Sequence, residues 1–212
     1  GPENPALPGN QLGQMTVPVA NQIARHLTVA GGAFAANDLV TVMAGGNDVF
    51  MNLAAVGAAA ATPEQAITAM ATAGGELAGL VRTQILAKGK PRTVVVNLPD
   101  VSQTPFAISQ GAQTAGLISL MVQAFNGALA QGLAPAGTDV LLVDAYNQGR
   151  DQTANPAQYA LTNVTGMACN LAAMTIPSSL TCTAANLVAG QDTSHWLYAD
   201  SVHPTPYGYN LL

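Results

Sequence analysis

The run Thr93-Val-Val-Val-Asn97 narrows what this chain can become more than any other stretch. Consecutive β-branched residues favour a strand, and a strand without polar alternation is one that loses water on both faces, as in a parallel sheet covered by helices. Parallel neighbours need crossovers of a dozen or more residues, usually helical. The sequence supplies both. Leu39-Val-Thr-Val-Met43 and Val140-Leu-Leu-Val143 read as further short strands. A helix is expected from about Met15 to Leu27. A second opens at Thr62, whose Thr-x-x-Gln pattern with Gln65 forms a capping box around Pro63, and it runs to about Lys88, where Gly89 and Pro91 stop it. A third is expected from Ser109 to Gln131, with Leu117, Leu120, Met121, Ala124, Phe125, Ala128 and Leu129 on its core face. This order predicts an α/β chain with right-handed crossovers and a mainly parallel sheet.

At 212 residues the chain suits a single domain, and no repeat or interdomain linker interrupts it. Charged residues are only 8% of the total, while Thr, Asn, Gln and Ser together make up a quarter, so the surface is wetted by hydroxyls and amides. Six scattered cations under a net charge of −5 exclude a nucleic-acid binder, which must neutralise a run of phosphates. Two uncharged stretches, 101–138 and 152–191, are broken by Gln, Pro, Asn and Thr, so no transmembrane segment is expected. No signal peptide is visible, and the opening Gly1-Pro2 suggests a processed or trimmed chain. Cys169 and Cys182 have no His or acid nearby, which leaves no metal site. They are either two buried thiols or a disulfide, and the low charge typical of exported proteins favours the disulfide and an oxidising compartment. The stretch 149–198 is long for a loop and reads as an ordered excursion.

In a parallel α/β sheet the chemistry gathers beyond the carboxyl ends of the strands. Gly45-Gly46-Asn47-Asp48 follows the first strand, Leu98-Pro99-Asp100 the second and Asp144 the third. Asp200-Ser201-Val202-His203-Pro204 follows the long excursion, just before a short helix that Thr205 can cap and Pro206 can begin. A carboxylate three residues before an imidazole can hold Nδ1–H and so leave Nε2 as a base. Glycines let a backbone approach a ligand closely, and the Asn47 amide can donate to a developing oxyanion. Asp48 either braces Asn47 or closes the turn.

These two motifs, in this order, resemble those of the SGNH hydrolase family, also called GDSL esterases and lipases. Gly45-Gly46-Asn47-Asp48 is similar to that family's Gly-x-Asn-Asp block and Asp200-Ser201-Val202-His203-Pro204 to its Asp-x-x-His-Pro block. The flanking residues Val42 to Phe50, Asn97 to Asp100 and Tyr198 to Gly208, with the cysteine pair, are similar to the secreted and autotransporter bacterial branch. The likeness extends from about Gln11 to Leu212. It implies a three-layer α/β/α sandwich, flavodoxin-like in its sheet, that hydrolyses carboxylic esters without cofactor or metal. Asp200 and His203 would be two members of the triad, and Asn47 an oxyanion donor. It implies an acyl-ester substrate and a secreted, periplasmic or cell-surface location.

One departure is large. The family's nucleophile is a Ser in a Gly-Asp-Ser block near the N-terminus, and a second block carries a Gly donor; neither occurs here. None of the seven serines follows Gly-Asp. The expectation is that residue 1 lies downstream of both blocks, with the nucleophile on a separate, cleaved or omitted segment, and that the chain stops a few residues into its last helix. An acyltransferase on the same triad and a catalytically dead binding module are the rivals. An open hydrophobic strand edge is then expected at Leu39 to Val42 or Val94 to Val96. Ser102 is read as a turn hydroxyl rather than a substitute nucleophile, Ser201 as locally hydrogen-bonded, His195 with Trp196 as structural, and His26 as a helix-end residue.

Overall fold

The computed structural model describes residues 17–212, so the expected start at Met15 lies outside the described residues. The chain forms two compact units. One comprises the chain up to Leu98 together with Leu117–Asp144, the other Pro99–Gly116 together with Ala145–Leu212.

The first unit holds the three expected strands, β1 (Leu39–Val42), β2 (Arg92–Val96) and β3 (Val140–Val143), all parallel in the order β1-β2-β3. Val95 stands opposite Val42 on one side and Leu142 on the other, and is fully buried. The valine run therefore forms the centre of the sheet. Its Thr93/Val95 face is buried, whereas Val94 and Val96 are half-covered, which corrects the expectation of burial on both faces. Val94 to Val96 is also not an open edge, because β2 is paired on both sides. The outer edge of β1 carries no strand among the described residues, and Leu39 and Met43 are exposed there.

Helices α1 (Val19–Val29), α2 (Gly46–Gly57) and α3 (Pro63–Leu80) belong to this unit. The Thr62 hydroxyl accepts the Gln65 N–H at 3.2 Å and the Gln65 side chain accepts the Thr62 N–H at 2.8 Å, the reciprocal box expected at this start. Beyond Leu80 the helix widens over Val81–Ile85 and tightens over Leu86–Lys88 before Gly89 ends it. Gly74 lets α3 lie against the chain at Phe125, since a Cβ there would sit 2.3 Å from the Phe125 carbonyl oxygen. Met70, Val81, Ile85, Ile118, Met121, Phe125 and Leu129 fill the core that results, each contributing about 1.5–3 kcal/mol by leaving water.

A separate short helix, α4 (Pro105–Ser109), precedes the expected helix from Ser109 to Gln131, which is α5 (Ala112–Leu133). Gly111, at φ +86°, turns the chain between them, and the Thr104 side chain caps the first. By length and composition α5 could cross a membrane; its Ile118, Met121, Val122, Phe125, Leu129 and Leu133 are buried in protein.

The second unit contains α6 (Ala145–Ala154), a parallel pair β4 (Asn163–Met167) and β5 (Trp196–Tyr198), and α7 (Pro206–Asn210). The 149–198 excursion is thus ordered, and it contains two strands that its Asn- and Thr-rich sequence conceals. Leu161, Leu197 and Tyr198 form a small core, packed by Tyr159, Val164, Tyr207 and Leu211. Cys169 and Cys182 are joined by a disulfide.

Candidate active site

In the first unit, Gly45 and Gly46 carry the chain from β1 straight into α2. Asn47 and Asp48 are therefore residues of a helical first turn, not of the open turn that Gly-Gly-Asn-Asp suggests. Gly45 has φ +113°, and a Cβ on it would lie 2.7 Å from the Phe125 ring and 3.0 Å from Leu98. Only glycine fits. Gly46 meets nothing within 4 Å, so the two glycines have different reasons to be there. The Asn47 side chain is half-buried and makes no hydrogen bond among the described residues. Asp48 does not brace it; its carbonyl accepts the Asn52 amide at 2.8 Å, and its carboxylate stands at the positive end of α2.

In the second unit, β5 leads into a loop closed at its neck. Thr205 N–H donates to the Leu197 carbonyl at 2.9 Å, Thr205 Oγ1 donates to the Trp196 carbonyl at 2.6 Å, and the same hydroxyl caps α7 by accepting the Gly208 N–H at 3.0 Å. Ala199 N–H donates to the His203 carbonyl at 2.8 Å. Asp200 and His203 are held inside this neck. Asp200 Oδ1 accepts the N–H groups of Val202 and His203 at 2.9 and 2.7 Å, and its two oxygens lie 3.0 and 2.9 Å from His203 Nδ1. The Ser179 N–H reaches Oδ2 at 3.1 Å.

Burial opposes charge on Asp200, but the His203 ring and backbone, then Ser179 and Val202, outweigh it and hold the carboxyl far below the ordinary carboxylate range. The same carboxylate raises His203 above an ordinary imidazole, against a smaller opposing effect of burial. With Nδ1 engaged by the acid, the neutral ring has its proton on Nδ1 and its lone pair on Nε2. The His203 side chain is 58% exposed against 9% for Asp200, so the acid is sheltered and the base reachable. The arrangement can take a proton at Nε2 and stabilise the resulting imidazolium.

The remaining candidates have structural partners. Ser102 donates its hydroxyl and N–H to Asp100 Oδ1 at 2.5 and 3.1 Å, and Arg150 Nη1 holds Oδ2 at 2.5 Å. Sequence reasoning set Asp100 on the active edge but missed its partner, 50 residues away and on an unrecognised helix. Ser201 makes no local hydroxyl bond among the described residues; its carbonyl accepts the Phe106 N–H. His195 packs edge-on against Tyr207 at 4.4 Å, and His26 stacks on Phe34 at 4.6 Å. Asn97 Nδ2 donates to Asp144 at 2.9 Å. Among the described residues, no group of His, Cys, Asp and Glu could hold a metal ion.

A search of curated proteins finds no match. The family profile described as GDSL-like Lipase/Acylhydrolase, by contrast, matches residues 4–212, and so takes in both units, the Gly45–Asp48 turn and the Asp200–His203 loop. Nearly the whole chain is accounted for in this way, as a member of the GDSL-like lipase/acylhydrolase family.

Proposed function

We propose that this chain supplies the base, its orienting acid and one oxyanion donor of a serine ester hydrolase, and that a segment absent from it supplies the nucleophilic Ser. The Asp200–His203 pair carries this reading: a buried carboxylate on Nδ1 of an exposed imidazole leaves Nε2 to take a hydroxyl proton. The Ser oxygen attacks the acyl carbon as its proton passes to His203. Asn47 donates to the oxyanion, and the leaving alcohol takes the proton back as the acyl-enzyme forms. Water then repeats the sequence, and no cofactor enters.

The idea of an added segment is supported by the outer edge of β1, which carries no strand among the described residues. A groove of about 490 Å³ runs beside it, lined by Ile23, Phe34, Leu39, Val42 and Ile85 among others. Unpaired backbone groups beside apolar side chains are what an added strand covers. In this reading both units belong to one hydrolase domain of an exported bacterial protein of the secreted or autotransporter type. The disulfide supports export.

The test is to fuse a Gly-Asp-Ser strand-and-turn segment ahead of residue 1 and follow hydrolysis of p-nitrophenyl esters. Turnover in the fusion, absent from the chain alone and abolished by Ser→Ala or His203→Ala, is the expected result. Asn47→Ala in the active form should cost on the order of 10² to 10³ in kcat. Transfer of the acyl group to an added alcohol in preference to water would make it an acyltransferase. A folded fusion without turnover would favour a binding module.

A further inference from the structure

Asp200 is gripped from two directions, and only one belongs to its own loop. Oδ1 is held by the neighbouring N–H groups of Val202 and His203, whereas Oδ2 accepts the N–H of Ser179, 21 residues upstream. Ser179 begins a tight turn in which the Thr181 and Cys182 N–H groups donate back to the Ser178 and Ser179 carbonyls. Thr181 Oγ1 also donates to the Ile176 carbonyl. Three residues after Ser179, Cys182 is bonded to Cys169, and the Cys169 N–H donates to the carbonyl of Ala199, the residue before Asp200. The path closes on itself: Asp200, Ala199, Cys169, the disulfide, Cys182, Ser179, and back to the Asp200 carboxylate.

We propose that the Cys169–Cys182 loop is a positioning device for the acid of the dyad, in which the Ser179 N–H fixes the second carboxylate oxygen and the disulfide keeps that N–H in place. This deepens the hydrolase reading and rests on it for the role of Asp200. Ser179 acts through Asp200 and uses its backbone, not its hydroxyl. The consequence is that the orientation of the acid depends on the thiol–disulfide state of a bond outside the dyad. The turn, Ile176-Pro-Ser-Ser-Leu-Thr-Cys182, has no charged side chain, so the Ser179 N–H is what it brings to the carboxylate. The titratable groups facing Asp200 are His203 on its own loop and Tyr209 on α7, whose phenol is pushed up by burial and by the Asp200 charge.

The test uses the chain as it stands, following the Asp200 carboxyl carbon and the ring protons of its three histidines by NMR against pH. Ser179→Pro removes the N–H while suiting the turn, because Ser178 is extended at φ −144°, ψ 143° and the first position of a helical turn accepts proline. Ser179→Ala keeps the N–H. A hydrogen bond to a carboxylate favours its charged form. Asp200 should therefore protonate about one pH unit higher in Ser179→Pro, and as in the parent in Ser179→Ala. Reduction by dithiothreitol, which closes to its own cyclic disulfide and leaves Cys169 and Cys182 as thiols, should reproduce the proline result.

Equal titration of the proline and alanine variants would overturn the proposal. So would an unmoved Asp200 in protein whose thiols are shown to be free. The His26 and His195 signals report whether each form stays folded, and the reduced parent decides the matter if the proline variant does not fold. No ester turnover is read, so failure here leaves the hydrolase reading intact, and an inactive fusion leaves this one intact.

Discussion

Gly45→Ala probes the junction between β1 and α2 on which Asn47 depends. Two costs can be worked from the structure. Gly45 adopts φ +113°, ψ −17°, and an L-residue held in such a region costs about 1–3 kcal/mol. The new Cβ would meet the Phe125 ring at 2.7 and 2.8 Å and Leu98 Cδ1 at 3.0 Å, in a place where Phe125 is only 2% exposed and cannot swing away. Overpacking of this kind adds about 1–3 kcal/mol. The sum is about 2–6 kcal/mol, and for a chain of this size it lowers Tm by roughly 4–24 °C. Urea denaturation followed by circular dichroism measures it. Gly46→Ala, where nothing lies within 4 Å and the backbone is helical, is the control and should be neutral or gain up to about 1 kcal/mol. Phe125→Leu in the Gly45→Ala background should recover part of the contact cost while leaving the backbone cost. A Gly45→Ala protein within about 0.5 kcal/mol of the parent, or one no worse than Gly46→Ala, would refute the argument.

Three further outcomes are expected. Asp200→Asn should lower the His203 midpoint in an NMR titration, since it removes the carboxylate that raises it; because His203 is held high, its share of the pair's stability is complete below the ordinary imidazole pKa and lost as pH rises through the raised one. The depressed Asp200 contributes in the opposite sense, present above the ordinary carboxylate pKa and lost as pH falls, so stability curves of parent and variant should separate most between those limits. Arg150→Met should cost about 2–4 kcal/mol at neutral pH in urea melts by stranding Asp100, whose side chain is 1% exposed, and Asp100→Asn in that background should recover part of the loss. Replacing Cys169 and Cys182 by Ser frees a loop of sequence separation 13 and should lower stability by about 3 kcal/mol in the same assay.

What could be read in advance was local. The Thr62 capping box and the Asp-x-x-His pair each rest on residues three positions apart, and their hydrogen bonds follow from that spacing; the valine run is legible as a strand from residue type alone. Elements whose cause is remote were not legible. The first turn of α2 follows Gly-Gly, a pair that ordinarily signals a turn, and what requires glycine at position 45 is the space it leaves for Phe125, 80 residues on. β4 contains Asn163 and Gly166, poor strand residues, and pairs with β5 nearly 30 residues away. The left-handed backbone at Gly111 starts α5 at Ala112, three residues after the expected Ser109, and sets α4 apart as a short helix of its own. At the site, the Asp200–His203 pair was visible, whereas the Ser179 N–H was not, since a backbone donor leaves no mark in residue type.

The neck at Thr205 has a kinetic consequence. Its side chain and N–H join the end of β5 to the start of α7, and Thr205 is 5% exposed, so water does not compete for those bonds. The loop from Ala199 to His203 therefore has no low-energy opening of its own. To release His203 the chain must unfasten β5 from α7, which means unpacking Leu197, Tyr198 and Tyr207 together. In hydrogen exchange, the amides of Ala199 and Thr205 should exchange at one common rate, set by that cooperative event, while the terminal amide of Leu212 exchanges much faster. A loop that carries exposed chemistry would then be among the slowest parts of its unit to open.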